Sequence, residues 1–121
     1  MISKFDIAKD WLPRYTGMPL EQFGAYTLLT NFRSYVDRFA DRFACKVYGK
    51  DRPMQAATND EGLTIINFGI GSPNAAIVMD LLTTARPRAA LFLGKCGGLK
   101  RSTEIGHFIL PIGAIRGEGT S

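Results

Sequence analysis

Apolar residues recur at helical spacing over residues 31–44, and this is the clearest periodic pattern in the chain. They form one continuous stripe, which predicts an amphipathic helix from Asn31 to Ala44 with Asn31 as its N-cap. The stripe consists of Phe32, Tyr35, Val36, Phe39, Ala40 and Phe43. The opposite face is charged and consists of Arg33, Asp37, Arg38, Asp41 and Arg42.

Short apolar and β-branched runs predict five strands. Gly62 ends a turn between the second and third of them and supplies the positive φ that suits a hairpin. Pro111 lies inside the last strand, so an edge position or a bulge is expected there. The predicted strands are Tyr26–Thr30, Met54–Thr58, Leu63–Phe68, Ala89–Leu93 and Phe108–Ile115.

The middle of the chain predicts a βαβ unit of ordinary size. The strand Leu63–Phe68 leads into a helix that Ser72 caps, with Pro73 at its first position, and that ends near Ala85. The following run Ala89–Leu93 is continuously apolar, which is typical of a strand covered on both faces.

The amino-terminal region predicts a short helix over Lys4–Trp11, followed by turns over residues 13–19. The chain thus has about three helices for five strands, too few to cover both faces of a sheet. We therefore expect either a fragment of a longer α/β domain or a partner that covers the open face.

The length of 121 residues allows one domain spanning 1–121, without a separate regulatory domain. No apolar stretch reaches the length of a membrane span or a signal-peptide core, so a cytoplasmic location without membrane contact is expected. The net charge of +4 is spread along the chain, which argues against a nucleic-acid partner. The two cysteines are expected to be reduced thiols.

Two glycine-rich turns follow the predicted parallel strands, at the ends where open α/β sheets bind ligands. Gly69-Ile70-Gly71 precedes a helix N-terminus, which favours an anion, although a tight turn that needs positive φ explains the glycines equally well. Neither turn is a dinucleotide fingerprint or a Walker loop. If the two strands are adjacent, both turns border one pocket.

The second turn, Gly94–Gly98, contains Lys95 and Cys96. Lys95 at the end of an apolar strand indicates either contact with an anion or a side chain that reaches solvent. Cys96 is either a nucleophile or a buried small hydrophobe. His107 is the single histidine and is expected to have a structural or surface role, and no spacing indicates a metal site or a cofactor.

Several segments together resemble the AMP nucleosidases, a family within the purine nucleoside phosphorylase superfamily. The resemblance covers nearly the whole chain and is specific as a set of motifs rather than through any single one. The matching segments are residues 11–17 (WLPRYTG), 29–32 (LTNF), 66–76 (INFGIGSPNAA), 86–87 (RP), 93–99 (LGKCGGL) and 114–121 (AIRGEGTS).

The resemblance implies a three-layer α/β/α sandwich around a mixed sheet, here incomplete, in homo-oligomers that are often hexamers. It implies a hydrolase of nucleotide metabolism and purine salvage that cleaves the N-glycosidic bond of AMP to adenine and ribose 5-phosphate. Gly69, Ile70 and Gly71 would border ribose and phosphate. The phosphate and base side would be lined by Lys95, Cys96 and Gly97. Arg33 matches an arginine that reaches phosphate in a neighbouring subunit.

Two departures from the phosphorylases favour hydrolysis over use of free phosphate. Their Gly-Asp-Pro phosphate loop is replaced by Arg14–Gly17, and Phe92 replaces their strand arginine. The family's catalytic Asp is expected beyond Ser121, so we expect this chain alone to be inactive. The alternatives are a purine or uridine nucleoside phosphorylase and a non-catalytic nucleotide-binding or assembly module.

Overall fold

The computed structural model describes residues 1–120, which contain an α/β core followed by a long irregular segment. A single 3-10 turn, Leu20–Gln22, precedes the first strand. The helices and strands are α1 (Lys4–Thr16), β1 (Tyr26–Thr30), α2 (Arg33–Phe43), β2 (Gln55–Thr58), β3 (Leu63–Asn67), α3 (Ser72–Leu82) and β4 (Ala89–Phe92).

The four strands form one mixed sheet in the order β2-β3-β1-β4. β1 is central and runs parallel to both neighbours, with Leu28 opposite Ile65 of β3 and Leu91 of β4. β2 is antiparallel to β3. The predicted mixed sheet is therefore confirmed, and its three parallel strands end at the same edge.

Helices lie on both faces of this sheet, against β1, β2 and β3, which confirms the predicted three-layer α/β/α arrangement. Ile65 packs with Val36 and Phe39 of α2 on one face. Ile66, the next residue of β3, packs on the other face with Val78 of α3. Neighbouring strand residues point to opposite faces, so α2 lies on one side and α3 on the other, together with α1.

The hairpin between β2 and β3 forms as predicted. Gly62 adopts a φ of 78°, in the region that glycine enters without strain. The Asn59 side-chain oxygen accepts hydrogen bonds from the backbone N–H groups of Glu61 at 3.2 Å and Leu63 at 2.9 Å. The Asn-to-Gly turn thus fixes the register of the two strands.

Helix α1 is longer than predicted, because Pro13 lies inside it rather than in a turn. The helix ends at Gly17, whose N–H donates to the Pro13 carbonyl at 2.7 Å. Leu12 and Thr16 are fully buried on either side of the proline. This packing offsets the backbone hydrogen bond that a proline inside a helix removes.

A capping box begins α1 and gives its first turn a pH dependence. The Ser3 hydroxyl and backbone N–H both donate to the Asp6 carboxylate, at 2.6 and 3.0 Å. These two bonds hold the pKa of Asp6 below its ordinary value of 3.8. A lowered folded pKa stabilises the protein above the unfolded value, and this contribution disappears as pH falls through the folded value.

We therefore expect Asp6→Ala to lower the free energy of unfolding at neutral pH and to have progressively less effect below about pH 4. Urea denaturation of both proteins across this pH range measures the difference. Asp37→Ala is the matched control for the loss of an exposed helical carboxylate outside the capping box. A difference between wild type and Asp6→Ala that persists unchanged at pH 2 would contradict this origin.

The N-caps predicted for the other two helices are each wrong by one residue. Asn31 does not cap α2; the cap position is Phe32, whose side chain makes no capping bond. The Thr30 hydroxyl instead accepts a hydrogen bond from the Phe32 N–H at 3.2 Å. Gly71 occupies the cap position of α3, so Ser72 is its first helical residue, and the helix ends at Leu82 rather than near Ala85.

The carboxyl-terminal part departs most from the sequence prediction. β4 pairs with β1 at the edge of the sheet, and all four of its residues are exposed, so the strand predicted to be covered on both faces is open. The predicted strand Phe108–Ile115 is irregular and exposed along its length. A short apolar run becomes a strand only where a neighbour offers backbone partners, and none pairs with this run among residues 1–120.

Candidate substrate-binding site

The connections of the sheet place a crevice at the carboxyl ends of β1 and β3. β1 continues into α2 on one face, whereas its neighbour β3 continues into α3 on the other. Adjacent strands whose connections leave to opposite faces form a topological switch point, where open α/β sheets bind ligands. The candidate site is therefore centred on residues 30–33 and 67–72.

The first glycine turn borders this crevice. Gly69 and Gly71 adopt φ values of 85° and 100°, which a residue with a side chain rarely enters. The Asn67 side-chain oxygen accepts from the Gly69 N–H at 3.1 Å, and the Asn74 amide donates to the Ile70 carbonyl at 3.1 Å. The turn is thus held from both sides.

Helix α3 begins at this turn without a side-chain cap. Its first N–H groups are therefore available to an anion, and the helix dipole favours negative charge at this end. The Ser72 hydroxyl lies 3.2 Å from the hydroxyl of Thr120, so the carboxyl-terminal segment returns to the turn. The Thr120 N–H in turn donates to the Glu118 carboxylate at 2.6 Å.

Three further groups lie where the central strand ends: the N-terminus of α2, Arg33 and Asn31. Helix α2 also begins without a side-chain cap, and Arg33 lies exposed in its first turn. Within residues 1–120, Arg33 forms no ion pair, not even with Asp37 four residues later in the same helix. The side-chain oxygen of Asn31 is buried without a hydrogen-bond partner in this part of the chain.

The second glycine turn begins directly after β4. The Leu93 N–H donates to the Leu29 carbonyl at 2.7 Å, which ties the start of the turn to β1. The Lys95 ammonium lies 4.6 Å from the centre of the Phe32 ring and 5.9 Å from that of Tyr35. Lys95 therefore rests on aromatic rings next to the crevice and remains exposed to solvent.

The two glycine turns are not neighbours, which corrects one prediction. They were expected to border one pocket if β3 and β4 were adjacent, but β1 lies between these strands. The turns are therefore about two strand spacings apart, roughly 10 Å. A groove of about 870 Å³ beside α2 is lined by Gly94, Lys95 and Cys96, but not by the Gly69–Gly71 turn.

The remaining candidates lie on the surface. Cys96 is exposed, so its interpretation as a buried hydrophobe is wrong. His107 is also exposed, and its ring nitrogen Nδ1 accepts from the Glu104 N–H at 3.2 Å, in agreement with a surface role. The other thiol, Cys45, is half-buried next to α2, and burial raises its pKa.

Residues 1–120 contain neither a cluster of metal ligands nor a membrane-spanning helix. No group of three or more His, Cys, Asp or Glu residues gathers as metal ligands would. No helix in this part of the chain is both long and apolar enough to cross a membrane.

Sequence reasoning missed the contribution of the central strand. Asn31, Phe32 and Tyr35 were assigned to a helix cap and an apolar stripe, yet they lie beside Lys95 or the crevice. The signal that would have found them is the strand order. A chain that reads β1-α2-β2-β3-α3-β4 does not reveal that β1 lies between β3 and β4.

Known proteins agree with this fold. The sequence profile described as "Phosphorylase superfamily" matches residues 34–121. The AMP nucleosidase of Bacteroides thetaiotaomicron VPI-5482, a solved structure, superposes with a TM-score of 0.88 at 49% identity, over 98% of this chain and 49% of that one.

Curated proteins align more distantly. AMP nucleosidase of Escherichia coli (strain K12) is 29% identical to this chain in an alignment 149 residues long. The alignment covers 93% of this chain and 30% of that enzyme. Guanosine phosphorylase of Halorubrum lacusprofundi is 37% identical over 68 residues, covering 56% of this chain and 28% of that protein. The chain thus spans about half the length of the solved relative and less than a third of these two. With a family match over residues 34–121, this chain belongs to the phosphorylase superfamily.

Proposed function

We propose that this chain is part of an enzyme that hydrolyses the N-glycosidic bond of AMP, giving adenine and ribose 5-phosphate. The observation that carries the proposal is the 49% identity to an AMP nucleosidase over 98% of the chain. The crevice at the carboxyl ends of β1 and β3 is the place where a fold of this kind binds such a substrate. The reaction belongs to purine salvage, and we propose that it takes place in the cytoplasm.

AMP carries a phosphate group, which is an anion. The site presents positively charged or partly positive groups on both sides of the crevice. The uncapped N-termini of α2 and α3 present backbone N–H groups at the same edge of the sheet. Lys95 and Arg33 add two exposed positive charges. We propose that Lys95 binds the phosphate of AMP together with Arg33 of a neighbouring subunit, while Gly69, Ile70 and Gly71 border its ribose and phosphate.

The exposed second turn lies on the other side of β1, where it approaches α2. We propose that Cys96 and Gly97 line the phosphate and base side of the site. Cys96 is exposed and lines the same groove as Glu104 and His107, and we assign it contact with the substrate rather than nucleophilic attack.

Glycosidic cleavage passes through an oxocarbenium-like state, so a group must protonate the departing adenine and another must orient water. In the AMP nucleosidases that this chain resembles, the catalytic Asp is expected after the segment that matches residues 1–121. We therefore propose that the acid, expected to be an Asp, lies beyond Ser121 and that the 121-residue chain alone does not turn over AMP. Release of adenine by the purified chain would contradict this assignment.

We propose that the enzyme acts as a homo-oligomer, with Arg33 reaching the phosphate bound by a neighbouring subunit. Arg33→Ala should then raise the KM for AMP about tenfold or more in the full-length gene product, because a hydrogen bond to a charged group is lost. Its rate with adenosine, which lacks the phosphate, should not change. Initial rates with both substrates provide the measurement.

Arg42→Ala is the matched control for this prediction, since Arg42 is exposed at the other end of the same helix. Arg42→Ala should leave the KM for AMP unchanged. Unchanged affinity and rate in Arg33→Ala would remove Arg33 from the site.

Phosphorolysis is the second candidate function, because a guanosine phosphorylase aligns over 56% of this chain. The two reactions differ in the nucleophile, which is water for a nucleosidase and phosphate for a phosphorylase. We expect the full-length gene product to prefer AMP over adenosine and to need no added phosphate. Comparison of kcat/KM for both substrates, with and without phosphate, separates the two; cleavage of adenosine only in the presence of phosphate would favour the phosphorylase.

A further inference from the structure

Asn31 lies at the end of the central strand, and the fold of the described residues leaves its buried side-chain oxygen without a hydrogen bond. Asparagine is one of the best helix caps, yet α2 takes Phe32 as its cap residue and the Thr30 hydroxyl binds the Phe32 N–H. An unsatisfied buried acceptor in a folded protein calls for an explanation, and a ligand is one.

The place of Asn31 in the fold is at the edge of the sheet where we locate the substrate. It directly follows β1, whose end lies between the Gly69–Gly71 turn and the turn that carries Lys95. Phe32, the next residue, lies under the Lys95 ammonium. A group held by Asn31 is therefore close to the charges to which we assign the phosphate.

The chemistry of the carboxamide selects among the groups of AMP. Its nitrogen donates and its oxygen accepts, and a half-turn about χ2 exchanges the two. A phosphate dianion offers acceptors only, so it leaves the oxygen of Asn31 unsatisfied. A ribose hydroxyl both accepts and donates, and the sugar lies nearer to the phosphate than the adenine does.

We propose that Asn31 binds the hydroxyl groups of the ribose and makes the enzyme selective for ribonucleotides. This inference rests on the proposed function, because it names the part of AMP that a residue of the same site recognises. Asn31 acts here as a specificity-determining contact, and no step of the bond cleavage passes through it.

The experiment compares AMP, 2′-deoxy-AMP, 3′-deoxy-AMP and IMP as substrates of the full-length gene product. In the wild type, removal of the contacted hydroxyl should lower kcat/KM about tenfold or more. Asn31→Ala should cause a similar loss with AMP, but less than about a twofold further loss with the analogue that lacks that hydroxyl. Asn31→Asp keeps the size and the acceptor, and should preserve part of the selectivity.

Gln22→Ala is the matched control, because it removes a carboxamide from the 3-10 turn that precedes β1. Equal losses with AMP and both deoxy analogues in Asn31→Ala, or no loss with any, would overturn the proposal. A loss of discrimination between AMP and IMP alone would assign Asn31 to the base and overturn it as well. If the wild type does not cleave AMP, the proposed function fails separately, and calorimetric titration of the same four ligands gives the Asn31 result without turnover.

Discussion

Replacement of Lys95 by alanine should lower kcat/KM for AMP about hundredfold in the full-length gene product. The Lys95 ammonium lies on the Phe32 and Tyr35 rings, next to the end of β1 and exposed to solvent. No carboxylate forms an ion pair with it among residues 1–120, so its charge is available to the phosphate. Loss of a hydrogen bond to a charged group commonly costs about 1.5–3 kcal/mol, and a hundredfold change corresponds to about 2.7 kcal/mol.

Three comparisons separate this role from a structural one. Lys100→Ala removes an exposed lysine from the same irregular segment and should leave kcat/KM unchanged. Lys95→Arg keeps the charge and the ring contact, and should recover part of the activity. Adenosine has no phosphate, so its rate should be the same in wild type and Lys95→Ala. An equal loss with AMP and adenosine would contradict phosphate binding by Lys95.

Gly49→Ala should lower the free energy of unfolding by about 2–5 kcal/mol, the sum of overpacking and left-handed backbone strain. Gly49 has a φ of 75°, where a residue with a side chain is strained. A Cβ at this position would overlap the carbonyl oxygens of Thr16 and Met54, and both are backbone atoms that cannot turn away. The strain and the overlap act together at the point where α1 meets the loop before β2.

Urea denaturation of the 121-residue chain measures this loss. Gly113→Ala is the matched control, because Gly113 has open space around it and no positive φ. It should change the free energy of unfolding by less than about 0.5 kcal/mol. A Gly49→Ala protein as stable as wild type would show that the loop before β2 can move away from α1.

The sequence predicted the elements of the core well because their signals are local. The stripe along α2 needs only the helical period, and three of its residues are buried against the sheet. The hairpin needs only Asn59 and Gly62 in their turn positions. The strands β1 and β3 were predicted to within one residue of their observed bounds.

What could not be predicted depends on contacts between distant segments. Pro13 remains inside α1 because Leu12 and Thr16 are buried against other elements, which no local rule contains. The strand Ala89–Phe92 was predicted to be covered, but coverage depends on which segments reach it. For the same reason, the apolar run 108–115 indicated a strand that residues 1–120 do not pair.

The candidate site was predicted in its residues but not in its arrangement. The glycine turns and Lys95 were found from the ends of strands, where the chemistry of such folds lies. Their separation by β1, and the position of Asn31 between them, follow from a strand order that periodicity does not encode. The roles that we propose for Lys95 and Arg33 come from the family resemblance. Each is tested by the alanine variant of that residue.

Product analysis of the full-length gene product with AMP in phosphate-free buffer tests the central proposal most directly. We predict equal amounts of adenine and ribose 5-phosphate, formed at the same rate when phosphate is absent. No cleavage of AMP, or cleavage that requires phosphate and gives a sugar 1-phosphate, would contradict the assignment of this chain to an AMP-hydrolysing enzyme.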